Sequence, residues 1–209
     1  LKSGEKKVEY LSELIDSYLY RDILEIEDVR NPKKIRDLLT LLAFQIGREV
    51  SLNELANGLD IHADTVFRYL DLLEKSFVLV NIRGFSRNLR KEVTKTSRYY
   101  FYDNGVRNAL INNFNSINLR NDAGELWENY IVMERIKKQN YDPIHSNNYF
   151  WRTYDQKEID WVEEREGKIF GFEIKWGEKI PKAPSLWKET YSNSEYEVVN
   201  KENYLKFIT

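Results

Sequence analysis

Residues 157–176, KEIDWVEEREGKIFGFEIKW, decide the fold. Glu166-Gly167 at the centre suits a two-residue turn, and apolar and polar residues alternate on both sides with the period of a strand. Closing the turn between Arg165 and Lys168 fixes the pairs beyond it. Trp161 faces Phe172 and Ile159 faces Ile174, with Phe170 and Trp176 on the same apolar side. On the opposite side the register sets Asp160 across from Glu173 and Glu158 across from Lys175. Like charges at about 5 Å between Cβ atoms destabilise a strand pair. A shared proton would offset the repulsion, and a divalent cation on oxygen ligands would do so while leaving both groups ionised. The reading without chemistry is a solvated polar face with a Glu158–Lys175 ion pair. With a cation at Asp160 and Glu173, Lys175 would lie beside it, placed to hold or polarise a water.

Upstream of the hairpin, Asp122 caps a helix through Glu125, Leu126, Trp127, Glu128, Tyr130, Ile131 and Glu134 to about Lys138. Strand-like runs at 148–154, 157–164 and 168–176 follow. Pro181 and Pro184 open a short helix, and 196–199 reads as a further strand, giving the order α-β-β-β-α-β. Only one of Trp151 and Arg152 can share a face with a given neighbour, and His145 reads as a loop residue.

The first half of the chain is helical in pattern. Val8, Leu11, Ile15, Tyr18, Leu19 and Ile23 recur every three or four residues and form one stripe. Asn31 and Pro32 start a helix whose buried face is Ile35, Leu38, Leu39, Leu42 and Ile46. Ser51 and Glu54 form a capping box, with Leu52, Leu55 and Ala56 inward and Gly58 as the stop. A helix from about Ala63 to Lys75 buries Val66, Leu70 and Leu73, so the pair reads as helix-turn-helix. A strand at 77–80, a turn at Arg83-Gly84 and a strand at 99–102 complete the order of a winged helix. The expected fold class is therefore α+β: a helical winged-helix domain over 1–119 and an α/β domain over 120–209.

On this reading His62, Asp64, Thr65, Phe67 and Arg68 lie on the outer side of the recognition helix. Arg83, Arg87, Arg90, Lys91, Lys95 and Arg98 form a basic patch, against Glu92 alone, in or beside the wing. The candidate DNA-binding residues are Thr65, Arg68, Arg83, Arg87, Arg90 and Lys91. Winged helices also serve as protein-interaction modules, and Asp64 and Asp71 would repel a phosphate backbone. The 99–102 run reads as strand and core rather than as a platform for bases.

The 209 residues are 42% hydrophobic, which fits a globular chain with a real core. Basic and acidic residues number 32 and 34. They divide as 19 and 17 over 1–120 and 13 and 17 beyond it, so the second half is the acidic one. Absence of cysteine excludes disulfides, thiolate metal sites and cysteine nucleophiles. A mean hydropathy of −0.63, with no uncharged apolar run near the ~18 residues of a span, predicts no membrane helix. No secretory signal opens the chain, so a cytoplasmic protein is expected. Because residue 1 is Leu rather than Met, the chain is expected to belong to a larger protein.

Glu128 on a helix, Asp160 on one strand and Glu173-Ile174-Lys175 on the next, in α-β-β-β-α-β order, resemble the PD-(D/E)XK nuclease superfamily. The runs Ser86-Arg87-Asn88-Leu89, Tyr100-Phe101-Tyr102-Asp103-Asn104-Gly105-Val106, Glu128-Asn129-Tyr130-Ile131 and Phe150-Trp151-Arg152-Thr153 resemble a region of unknown function found after AAA-type ATPase domains in bacteria and archaea. That region joins a winged helix to a nuclease-like domain. The resemblance implies catalytic roles for Glu128, Asp160, Glu173 and Lys175, with Mg2+ held by Asp160 and Glu173 and water assisted by Lys175. Glu125 and Glu134 are the other acids open to the helix role. It further implies a P-loop ATPase domain preceding this chain. No GxxxxGK[ST] occurs here, so ATP would bind only in that absent domain. The expected function is DNA engagement with Mg-dependent phosphodiester hydrolysis. The alternative is a non-catalytic adaptor between the ATPase and a protein partner or DNA structure.

Overall fold

The structure is a computed structural model that describes residues 4–15, 17, 31–86 and 96–209. In chain order the described elements are α1 (Gly4–Leu14), α2 (Pro32–Phe44), β1 (Glu49–Val50), α3 (Leu52–Leu59), α4 (Ala63–Lys75), β2 (Leu79–Gly84), β3 (Ser97–Phe101) and α5 (Asn104–Leu110). After a 3-10 turn at Ile117–Leu119 come α6 (Ala123–Tyr141), β4 (Asn147–Arg152), β5 (Glu158–Arg165), β6 (Lys168–Ile174), α7 (Ser185–Thr190), β7 (Ser194–Val199) and α8 (Tyr204–Ile208). The fold is mixed α+β, with the strands ordered β1-β3-β2-β4-β5-β6-β7 in a seven-stranded sheet. The chain forms two compact units, Leu1–Asn81 with Tyr99–Arg120, and Ile82–Arg98 with Asn121–Thr209. Thus the described residues 82–86 and 96–98, on the N-terminal side of a split at residue 120, pack within the second unit. Among the described residues no helix is long and apolar enough to cross a membrane.

In the first unit the apolar stripes do what their spacing predicts. Ile35, Leu38, Leu39, Leu42 and Ile46 are buried from α2 onward, and Val66, Leu70 and Leu73 from α4. Ile15 is buried beside them, while Tyr18, Leu19 and Ile23 lie outside the described residues. Ser51 caps α3 by accepting the Glu54 amide. Two details depart from the sequence reading. Leu52 is exposed rather than inward, and α3 ends not at Gly58 but at Leu59, where Asp60 takes the left-handed conformation (φ 51°). Phe77 also has a positive φ and faces solvent, so β2 starts two residues later than the apolar run suggests. Arg83-Gly84 is strand rather than turn, paired in parallel with Tyr149 and Phe150. The 97–101 strand is core, with Tyr99, Tyr100 and Phe101 buried. The sequence reading missed α5, where Asp103 caps the helix through the Val106 amide (2.9 Å).

In the second unit, β4 and β5 pair antiparallel, as do β5 and β6, whereas β6 and β7 run parallel. The hairpin register is the one set by the turn: Arg165 pairs with Lys168 and Trp161 with Phe172. Both turn residues have positive φ (Glu166 53°, Gly167 71°), as a primed turn requires. One sheet face packs Phe85, Trp151, Ile159, Val162, Ile169, Trp187 and Tyr191 together. Gly171 permits that packing, since a Cβ there would meet Ile159 and Trp187 at 3.2 Å. The other face carries Phe172 against Phe207 of α8 (4.6 Å between centroids) and a buried ion pair. In that pair Arg135 grips Glu163 through Nε–Oε1 at 2.6 Å and Nη2–Oε2 at 2.8 Å.

Candidate functional site

Strand alternation fails at one place, and the site is built there. On β4, Tyr149 pairs with Val162 but Trp151 pairs with Ile159, so Asp160 and Trp161 together oppose Phe150. Such a bulge adds a residue to one strand and re-aims its side chains. Ile159 accordingly joins the Trp187 face instead of standing beside Trp161 and Phe172. Backbone pairing between β5 and β6 runs only as far as Trp161–Phe172. Beyond it the Ile174 amide donates to Asp160 Oδ2 at 2.9 Å, so a side chain takes the place of a ladder carbonyl. The expected direct Asp160–Glu173 ladder pair is thus replaced by strands that part, with both carboxylates buried at the opening (3% and 8% exposed).

Lys175 bridges the two. Its Nζ lies 2.6 Å from Glu173 Oε1 and 3.6 Å from Asp160 Oδ2. Glu158 is engaged by Arg98, whose Nη2 is 2.6 Å from Glu158 Oε2. The same guanidinium lies 3.7 Å from Asp160 Oδ1 and 3.9 Å from Glu128 Oε1, and stacks on Phe150 at 4.5 Å. Glu128 is therefore an acid of α6 that reaches this centre, while Glu134 pairs with Lys137 at the surface (2.6 Å). The structure gathers all four sequence-derived residues, Glu128, Asp160, Glu173 and Lys175, through shared cations.

Sequence reasoning missed Arg98. Its charge groups it with the basic patch in or beside the wing, but it is buried (3% exposed) and belongs to the acid centre. The available signal was its place at the head of Tyr99-Tyr100-Phe101, an apolar run that is itself buried. Of the proposed DNA contacts, Arg68 is exposed and Thr65 half-buried on α4, and Arg83 is exposed on β2. Arg87, Arg90 and Lys91 lie outside the described residues.

The electrostatics separate this centre from the other buried acid of the unit. Burial alone would raise Glu163, yet donors from Arg135, Trp161 and Arg165 hold its carboxyl below the usual range. Glu173 has no such saturation: its Oε2 is buried without a hydrogen-bond partner. Burial first, and then the Asp160 charge, push Glu173 up to about 7 despite Lys175. Asp160 is raised as well, by burial, against the pull of Lys175 and Arg98. Burial disfavours the Lys175 charge, but Asp160 and Glu173 outweigh it and raise its pKa, so the side chain is a permanent ammonium. Tyr196 on β7 is pushed up to about 12 by burial and the Glu173 charge, so its phenol stays neutral.

These donors suit a hard cation. Mg2+ is commonly held by one or two carboxylates while keeping several waters, and Asp160 with the unpartnered Glu173 oxygen offers that set. Among the described residues no cluster of three or more acidic or histidine side chains forms a ready-made metal cage.

Residues 1–117 match a family model described as a domain of unknown function (DUF8612). The chain belongs to that family. Residues 123–206 of this DUF8612 member match a second domain of unknown function (DUF4143), a span that contains Glu128, Asp160, Glu173 and Lys175. An uncharacterized protein of Mycobacterium tuberculosis is 29% identical over 177 residues, covering 83% of this chain and 39% of its own length. One from Methanocaldococcus jannaschii is 25% identical over 161 residues, covering 75% and 34%. One from Haemophilus influenzae is 23% identical over 169 residues, covering 78% and 39%. The chain thus spans well under half the length of these curated relatives. No solved structure matches it.

Proposed function

We propose that this chain is the DNA-engaging part of a larger protein and that its second unit hydrolyses phosphodiester bonds with Mg2+. The observation that carries the reading is the buried carboxylate pair, Asp160 and Glu173, bridged by Lys175 at the parted end of a hairpin, with Glu173 Oε2 left without a hydrogen-bond partner. The α-β-β-β-α-β order of α6 to β7 also supports a PD-(D/E)XK-like domain. Mg2+ at Asp160 and Glu173 would supply charge neutralisation at the phosphate and a more acidic water. The chain's own residues do the rest. Asp160 is fixed by the Ile174 amide and Glu173 by Lys175, so both ligands are pre-oriented. Lys175, as an ammonium, donates a hydrogen bond to the attacking water or to a phosphate oxygen and takes up no proton itself. Glu128, held through Arg98, supports the same centre from α6. An AAA-type ATPase domain preceding the chain fits its short span of the relatives.

Metal binding tests this. Mg2+ or Mn2+ at about 100 times Kd should stabilise the fold by about 2.7 kcal/mol, read as a rise in melting temperature. Asp160→Asn should abolish the rise while leaving the metal-free protein no less stable, because the neutral amide still accepts from the Ile174 amide. A fold indifferent to both ions refutes the hydrolytic reading.

In the first unit we propose a winged-helix role for α3, α4, β2 and β3, with α4 presented to duplex DNA. Arg68→Glu should weaken binding about tenfold in low salt. Wild-type affinity should fall with a log–log salt slope near −0.9 for each phosphate contacted. A binding curve flat in salt would favour the adaptor. That reading has one observation of its own: α4 exposes Phe67 (59%) on the face that carries Asp64, chemistry better suited to a protein surface than to phosphate.

A further inference from the structure

We propose that Trp127, Tyr130, Trp176 and Tyr204 form a stacking site for an unpaired base, so that the second unit takes DNA as a single strand. The proposal rests on the hydrolytic reading above only for the phosphate it places at Asp160 and Glu173, and it names the form in which DNA reaches them. The site follows from the register of the sheet. Ile174 pairs with Val199 in the parallel β6–β7 ladder, and the Lys175 amide donates a further bond to the Val199 carbonyl (2.9 Å). Two residues beyond each paired end stand Trp176 and Lys201, and the Lys201 ammonium sits over the Trp176 ring at 3.5 Å. Trp127 and Tyr130, neighbours on one face of α6, and Tyr204 on α8 complete the group. Trp127 is its hub, with ring centroids 5.9 Å from Tyr130, 5.5 Å from Trp176 and 5.0 Å from Tyr204.

The same unit shows what an aromatic core cluster looks like: Phe85, Trp151, Trp187 and Tyr191 pack together and are all buried. The Trp127 group is different. Its four rings are each partly exposed, Tyr130 at 39%. They leave apolar ring surface in water that a stacked base would cover. The Trp127 indole nitrogen is buried without a hydrogen-bond partner, so ring contacts alone hold that side chain and it can adjust to an incoming base. Position in the chain decides what covers the group. Trp176 directly follows Lys175 and Trp127 directly precedes Glu128, and consecutive Cα atoms are ~3.8 Å apart. A strand with one phosphate at Asp160 and Glu173 therefore carries a neighbouring base past the rings. Lys201, exposed and held at the Trp176 ring face, is placed to meet the adjoining phosphate. Aromatic faces beside cations hold single strands without reading their sequence. Inside a duplex a base keeps its faces in the stack, so only an unpaired one can enter the site.

Oligothymidine binding to the full chain tests this, in EDTA so that no strand is cut. An abasic oligonucleotide of the same length, which keeps the phosphates and lacks the bases, is the comparison. Wild type should bind oligothymidine about 10- to 100-fold more tightly than the abasic strand, the range for stacking one or two bases on aromatic side chains. Tryptophan fluorescence should fall on binding, and because Trp151, Trp161 and Trp187 are buried the change reports on Trp127 and Trp176. Trp176→Ala, checked for folding by circular dichroism, should bind oligothymidine about as weakly as wild type binds the abasic strand. Trp176→Phe should recover part of the loss. Equal wild-type affinity for the two strands, absence of binding included, overturns the proposal, as does a folded Trp176→Ala with wild-type affinity. If Trp176→Ala does not fold, Tyr130→Ala decides: a loss of about fivefold or more for oligothymidine alone upholds the site, and a smaller one overturns it. Base-dependent binding by a fold that Mg2+ and Mn2+ leave unchanged would uphold the stacking site and refute the hydrolytic reading. Stabilisation by metal with no preference for bases would do the reverse.

Discussion

Lys175→Ala should lower metal-dependent cleavage of DNA by at least about 100-fold while Mn2+ binds no more weakly than to wild type. Donors aimed at charge that develops in the transition state are worth about 100- to 1000-fold each. Lys175 is a candidate for that role because it holds its proton against burial, through the two carboxylates beside it. The same argument excludes it as a general base. Removing the ammonium loosens Glu173 but also removes a competing charge from both Asp160 and Glu173, and the second effect should outweigh the first for metal affinity. Lys175→Arg keeps the charge but not the compact donor, and should recover little of the rate. Cleavage that survives Lys175→Ala would place the chemistry elsewhere. Loss of both cleavage and Mn2+ binding would make Lys175 a scaffold for the ligands.

The hairpin was legible because its turn and its alternation are local. Glu166-Gly167 can adopt two successive positive φ angles, and that alone sets Trp161 opposite Phe172. Alternation then carried Ile159 to the wrong face. The bulge at Asp160-Trp161 is defined by the neighbouring strand, through Phe150, and leaves no local mark in the sequence. Arg98 was misread for a related reason. Its charge groups it with the basic residues before it, but its environment is set by Glu128, Glu158 and Asp160, thirty to more than sixty positions away. Short elements escaped as well: β1, α5 and α8 are each too brief for periodicity to register. The acids of the site were legible because burying like charges together is costly, and a sequence that keeps such a pattern on one strand pair advertises a use for it.

The pH dependence of stability should run in the direction opposite to that of an ordinary salt-bridged carboxylate. Glu173 holds its proton up to about pH 7 in the fold and releases it near 4.5 in the unfolded chain. Between those values the folded state binds a proton that the unfolded state has lost, so metal-free stability falls as pH rises. The contribution is fully present below about pH 4.5 and gone above about 7. It amounts to roughly 3 kcal/mol, at 1.36 kcal/mol for each pH interval of one. Asp160, raised by burial, adds to the fall in the same sense. Glu173→Gln is neutral throughout, so it should flatten this part of the profile and leave the metal-free protein more stable than wild type at pH 8. Excess Mg2+ should stabilise wild type increasingly from pH 6 to pH 8, because the ion competes with the proton for the same oxygens. The variant should show no such gain. Urea unfolding across pH 5 to 8, with and without Mg2+, reads all of these. If Glu173 were instead a satisfied structural acid like Glu163, the substitution would destabilise the protein at pH 8 and Mg2+ would leave both proteins unchanged. The sign at pH 8 therefore decides between a centre kept short of positive charge for an ion to complete and one already complete within the fold.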